Sequence, residues 1–133
     1  LKILFTLGAM RSVKNPHLRA LGREGEKEVA AYLQRKSMRI IDRNWRIKGG
    51  EIDLIAKSPN GKVHFVEVKT RSSWTFGHPL EAIDREKAHR MQKLALAWMV
   101  TNNHFGGEYQ VDVSAVTLNS AMRPTIDYRA GVL

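Results

Sequence analysis

Residues 51–70 read EIDLIAKSPNGKVHFVEVKT. Two runs rich in β-branched and apolar residues, EIDLIAK at 51–57 and VHFVEVKT at 63–70, flank the turn signal PNG at 59–61. This pattern predicts a β-hairpin. Strand side chains alternate between faces, so Glu51, Asp53 and Ile55 are expected on one face, opposite Ile52, Leu54 and Ala56. In the second run Val63, Phe65, Glu67 and Lys69 share a face, opposite His64, Val66, Val68 and Thr70. Pairing the strands brings Asp53 and Glu67 to one face, with Lys69 two residues beyond Glu67. Charges in such apolar surroundings are not ordinary surface decoration.

Upstream, MRIIDRNWRI at 38–47 reads as a strand joined to EIDLIAK through Gly49-Gly50, which completes a three-strand meander. Before it, GREGEKEVAAYLQRKS at 22–37 reads as an amphipathic helix with Val29, Ala30 and Leu33 as its apolar stripe. Glu26 lies three, four and seven residues before those positions, so it shares the apolar side while Glu28 points elsewhere. Residues 1–20 show no sustained period, and Pro16 argues against a continuous helix there, so they are expected to form a loose, flexible arm.

Downstream, RSSWTFGH at 71–78 reads as a loop, and Pro79 is expected to open a long helix reaching to about Val100. Its apolar positions are Leu80, Ile83, Met91, Leu94, Ala95 and Trp98. A further strand is expected at 109–118 and a short edge strand at 124–128. The order α, β, β, β, α, β, β predicts one α/β domain over residues 21–133 with a mixed sheet.

The chain has 133 residues and no cysteine, which excludes disulfides, thiolate zinc sites and cysteine nucleophiles. That composition fits a reducing, cytoplasmic setting. Its five histidines are scattered singly, and no run is long enough to span a membrane as a helix. The start, LKILFTLGAMRSVKNPH, has a short apolar stretch but no clear cleavage pattern of a secretory signal. The net charge of +9 is uneven: residues 1–50 hold 12 Lys/Arg against 4 Asp/Glu. Such a basic half suits a polyanionic partner, nucleic acid first, although small basic proteins also use charge simply to stay in solution. Walker and dinucleotide-glycine patterns are missing, as is a serine triad arrangement around Ser72 and Ser73.

Two neighbouring carboxylates repel and attract a cation. An all-oxygen site suits Mg2+ or Mn2+, completed by water and substrate phosphate. Asp53 and Glu67 are the expected ligands, the carbonyl of Val68 can add an oxygen, and Glu26 can hold metal waters or a second ion. Lys69 can orient the attacking water or stabilise charge on the phosphate. The bland reading of Glu67 and Lys69 is a cross-strand ion pair on a solvent face. Paired acids also serve glycosidases, but Lys69 and the basic surface favour phosphate over sugar.

Around this set, Glu51 reads as an auxiliary acid or, by preference, a salt bridge at the strand's start. Arg71 reads as a phosphate clamp or a solvent-facing arginine. Lys87, four residues from both Ile83 and Met91, lies near the inner face of its helix, as a substrate contact or a snorkelling lysine. The basic set Arg35, Lys36, Arg39, Arg43, Arg46 and Lys48 can track a phosphate backbone if it lines the cleft side. Trp74 is read as packing before base stacking, and Trp45 and Trp98 as packing. Asp112 is read as a brace for the sheet or for Lys69.

The stretches GREGEKEVAAYL, RNWRIKGGEIDLIAK, VHFVEVKTR and FGHPLEAID resemble the small YraN-like bacterial proteins across roughly residues 20–113. That family is placed with the PD-(D/E)XK nuclease superfamily and is similar to archaeal Holliday-junction resolvases. The resemblance implies a restriction-endonuclease-like core, a mixed sheet flanked by helices. It assigns the first-helix Glu to Glu26, the metal-binding Asp to Asp53 and the E-x-K pair to Glu67 and Lys69. It also implies Mg2+-dependent phosphodiester hydrolysis of DNA, suggests dimerisation, and favours a fixed loop at Phe76, Gly77 and Pro79. For Lys87 it implies contact with substrate or the active-site water.

Overall fold

A computed structural model of the chain describes residues 16–72, 84–104, 106–119, 121 and 123–132. Among them are helix α1 (Pro16–Arg35), strands β1 (Arg39–Ile47), β2 (Gly50–Lys57) and β3 (Val63–Arg71), helix α2 (Arg85–Thr101), and strands β4 (Tyr109–Thr117) and β5 (Thr125–Arg129). The strands form one sheet in the order β1-β2-β3-β4-β5. β1, β2 and β3 are successive antiparallel neighbours, β4 runs parallel to β3, and β5 is antiparallel to β4. The mixed α/β sheet flanked by helices is thus the architecture that the resemblance implies.

α1 begins at Pro16, so residues 16–20 belong to the helix and not to a loose arm. Proline suits the first helical turn, where its missing N–H would find no intrahelical partner. The helix ends in a Schellman motif: Met38 N–H reaches Leu33 O and Ser37 N–H reaches Gln34 O, both at 3.0 Å. Ser37 takes the left-handed φ of 65° that this ending requires. α2 begins at Arg85, because Asp84 caps it by accepting the Lys87 N–H at 2.9 Å. The expected continuous helix from Pro79 is interrupted at Asp84, whose backbone is extended; Pro79, Leu80 and Ile83 lie outside the described residues.

The two helices cover opposite faces of the sheet. Val29, Ala30 and Leu33 of α1 pack on Leu54, Ala56, Val66 and Val116. Leu94, Ala95, Trp98 and Met99 of α2 pack on Ile52, Ile55, Val63, Phe65 and Val111. Phe65 meets Trp98 edge to face at 5.6 Å, and the Trp98 indole N–H donates to Asp42 at 3.1 Å. The β1–β2 turn is Lys48-Gly49, with Gly49 at φ 107°, while Gly50 already belongs to β2. A side chain at Gly50 would meet Leu94 at 2.8 Å, so this glycine lets α2 settle over the hairpin.

Strict alternation fails in β2 near Asp53, and the β1–β2 register also shifts between Ile40 and Asp42. Ile52 joins Ile55 on the α2 side, although it was expected with Leu54 on the other. Residues three apart share a face only if the strand is irregular between them, and Asp53 lies at that point.

Candidate metal centre

The β2–β3 ladder runs from Lys57–Val63 to Leu54–Val66 and ends there. Beyond it, β2 keeps β1 as its partner to Gly50, and β3 keeps β4 to Arg71. At the fork, Asp53 Oδ2 accepts the Val68 N–H at 2.8 Å. A side-chain carboxylate has replaced the backbone partner, which satisfies a donor that the parting strands leave behind. Val68 N belongs to the Glu67–Val68 peptide, so the Asp53 carboxylate sits against the backbone that carries Glu67. Both acids are buried, each 3% exposed. Glu67 Oε2 faces Lys69 Nζ at 3.9 Å, and both side chains are largely shielded from solvent. The solvent-face ion pair is therefore not what these residues form.

Glu26 approaches from α1, and Gly25 beside it explains how. A Cβ at Gly25 would lie 1.8 Å from Thr70 Oγ1 and 2.8 Å from Thr70 Cβ. Without that atom the helix backbone closes directly onto β3, one residue past Lys69. Glu26 Oε1 there accepts the Asn44 side-chain N–H at 3.0 Å. Asn44 is in the left-handed region at φ 47°. Neither Gly25 nor Asn44 was singled out above. A glycine inside a helix is a signal of close approach, and asparagine is among the few residues that take positive φ readily.

The structure thus sets Asp53 on the Val68 N–H and Glu67 beside Lys69. It does not draw Glu26 into one group with the other acids: among the described residues no three histidine or acidic side chains converge closely enough to hold an ion. Mg2+ commonly takes one or two carboxylates and fills its remaining positions with water and phosphate oxygens. Two buried carboxylates at a strand fork, next to a backbone carbonyl at Val68, fit that demand in donor chemistry.

The remaining residues divide. Glu51 pairs with Arg46 directly across the hairpin, as its bland reading has it. Lys87 is buried at 9% exposure, and desolvation, then the nearby Arg90, lowers its pKa below the ordinary lysine value. Arg71 is exposed at the end of β3. Arg43 lies opposite Leu54 and Arg46 opposite Glu51, so these exposed cations sit at the same end of the sheet as Asp53; Lys48 is exposed in the adjoining turn. Trp74, Phe76 and Gly77 lie outside the described residues. Trp45 packs against the α2-side core.

Asp112 proves to be a brace. It is 0% exposed. It accepts from His64 at 3.0 Å, Gln110 at 2.7 Å, the Gly131 N–H at 2.9 Å and the Tyr128 hydroxyl. Burial alone would raise its pKa, but these donors together hold it below the ordinary value. The Tyr128 hydroxyl is pushed well above its usual range by burial and by the Asp112 charge.

These features define a class, an α/β domain whose mixed sheet opens at a buried acidic pair. A family model described as "Uncharacterised protein family UPF0102" matches residues 25–116. A UPF0102 protein of Trichlorobacter lovleyi is 42% identical over 109 residues, covering 82% of this chain and 86% of that one. One from Leifsonia xyli subsp. xyli is 43% identical, covering 85% and 95%. The chain belongs to the UPF0102 family. Among solved structures, Pyrococcus furiosus SfsA in complex with Ca2+ is similar at a TM-score of 0.35 and 16% identity, over 84% of this chain and 61% of that one. No helix among the described residues is long and apolar enough to cross a membrane.

Proposed function

We propose that this chain is a divalent-metal-dependent endonuclease that hydrolyses DNA phosphodiester bonds, with branched or single-stranded DNA as its substrate. One observation carries the reading: the Asp53 carboxylate lies at the β2–β3 fork against the Glu67–Val68 peptide, with Lys69 beside Glu67. Asp53, Glu67 and the Val68 carbonyl would hold Mg2+ or Mn2+. Such an ion, when bound, polarises the phosphate and makes water a better nucleophile at neutral pH. A water oxygen bonds to phosphorus, the bridging P–O bond breaks, and the leaving oxygen takes a proton. Lys69 stabilises negative charge on the phosphate or orients the water. Arg43, Arg46, Lys48 and Arg71 contact phosphates away from the scissile bond, and Lys87 serves substrate from α2. A homodimer would suit cutting two strands symmetrically.

A second reading is a non-catalytic or partner-dependent nucleic-acid-binding protein in DNA repair or recombination. The lack of a three-acid group among the described residues favours it. The two separate on labelled single-stranded, duplex, flap and four-way-junction DNA, at low salt, with Mg2+, Mn2+ or EDTA. Cleavage that requires the ion supports the nuclease. Binding without cleavage supports the second reading, and neither binding nor cleavage overturns both for the chain on its own.

A further inference from the structure

We propose that Asn44 is a positioning residue that fixes the Glu26 carboxylate beside β1, at the level of Asp53, and thereby tunes ion binding at the fork. The inference rests on the metal-dependent reading above.

Three local features converge on this role. First, Gly25 lets α1 close onto Thr70, which fixes where the helix runs relative to Lys69 and Glu67. Glu26 is the next residue, half-buried, and its direction is the remaining freedom. Second, Asn44 Nδ2 donates to Glu26 Oε1 at 3.0 Å across eighteen residues of chain. A hydrogen bond from a neutral amide leaves the carboxylate charged while restricting its rotation. Third, Asn44 has a left-handed backbone within a nine-residue strand. That conformation is strained for most side chains and much less so for asparagine. β1 is an edge strand among the described residues, so the irregular backbone interrupts no second ladder.

The register gives the contact its place. Arg43 faces Leu54 and Trp45 faces Ile52, so Asn44 stands beside Asp53 on the neighbouring strand. The amide therefore joins the first helix to the edge strand at the level where β2 and β3 part. Aspartate there would set a second carboxylate against Glu26. Leucine or valine would resist the backbone conformation.

The test is a double-mutant cycle on the full chain, read by calorimetric Mn2+ titration without DNA. Asn44→Gly keeps the left-handed backbone and removes the amide, and Asn44→Ser replaces it if glycine loosens β1. Outer residues that orient metal ligands typically change affinity by about 10-fold, and a loss of that order is expected for Asn44→Gly. Glu26→Gln should weaken Mn2+ at least as much, and the double variant no further than Glu26→Gln alone. Independent, additive losses overturn the proposal. So does a lower Tm in Asn44→Gly with unchanged Mn2+ affinity, which marks a tether that is only structural. If the unaltered chain binds no Mn2+, the metal reading fails and this inference fails with it. Binding by the unaltered chain and equally by Asn44→Gly removes this inference alone.

Discussion

Asp53 Oδ2 accepts the Val68 N–H at 2.8 Å, one residue past Leu54 on β2 and two past Val66 on β3, the last backbone pair between these strands. The carboxylate has a structural task at the fork besides any chemical one. Asp53→Asn keeps an oxygen that can accept this N–H and removes one of two adjacent buried charges. Asp53→Ala leaves the donor unsatisfied, at a cost of about 1–3 kcal/mol. In metal-free urea denaturation, Asp53→Asn should be at least as stable as the unaltered chain, and Asp53→Ala clearly less so. Equal stability of the two variants would show that the hydrogen bond contributes nothing.

The contact of Gly25 with Thr70 sets the seat of α1. Gly25→Ala places a methyl 1.8 Å from Thr70 Oγ1 and 2.9 Å from Thr70 Cγ2. Overpacking of this kind costs about 1–3 kcal/mol. Adding Thr70→Ala removes both atoms and should restore part of the loss, although Thr70 Cβ, at 2.8 Å, remains. Denaturation midpoints of the single and double variants measure this coupling. Full additivity would mean that the helix does not bear on Thr70.

Both features show where sequence reading ends. Strand alternation and hairpin signals place Asp53, Glu67 and Lys69 on one face; the structure sets the Asp53 carboxylate on the Val68 N–H and Glu67 against Lys69. Alternation does not hold through β2, however: Ile52 lies with Ile55 on the α2 side. Proline's preference for a first turn points to Pro79, whereas the Asp84 carboxylate caps α2 at Arg85. Pro16, a residue that breaks a helix from within, opens α1. The hydrogen bond between Asn44 and Glu26 joins residues eighteen apart, and no local pattern specifies such a pair.

Burial and their shared hydrogen bond make Asp112 and Tyr128 two sources of pH-dependent stability. The carboxyl titrates below its ordinary 3.8 in the folded chain. Its stabilisation is therefore complete above that value and is lost as pH falls through the lower, folded value. Tyr128 titrates above its ordinary 10.0 when folded. Its contribution is complete below pH 10 and declines as the solution becomes more alkaline. Urea midpoints across pH 3–7 should fall for the unaltered chain at the acid end and change less for Asp112→Asn. That variant should also lose about 1–3 kcal/mol at pH 7, because an amide cannot accept from all four donors. An identical acid limb in both proteins would remove Asp112 as its source.

Arg43 and Arg46 are both exposed at the acidic end of the sheet, but Glu51 engages Arg46. On duplex DNA, Arg43→Ala should lower the slope of log affinity against log salt by about 0.9, the value for one phosphate contact. Arg46→Ala should change it less. Filter binding over a range of salt concentrations measures both, and unchanged slopes would place the nucleic acid elsewhere.

The most direct test is single-turnover cleavage of whichever DNA structure the chain prefers, with Mg2+ and with EDTA, comparing the unaltered chain, Asp53→Asn and Lys69→Ala. Because Asp53→Asn should keep its fold, lost activity in that variant reports on the site and not on stability. The expected result is cleavage that needs the ion and vanishes in both variants. Cleavage that persists in EDTA, or in folded Asp53→Asn at the unaltered rate, would contradict a metal-dependent site at the fork.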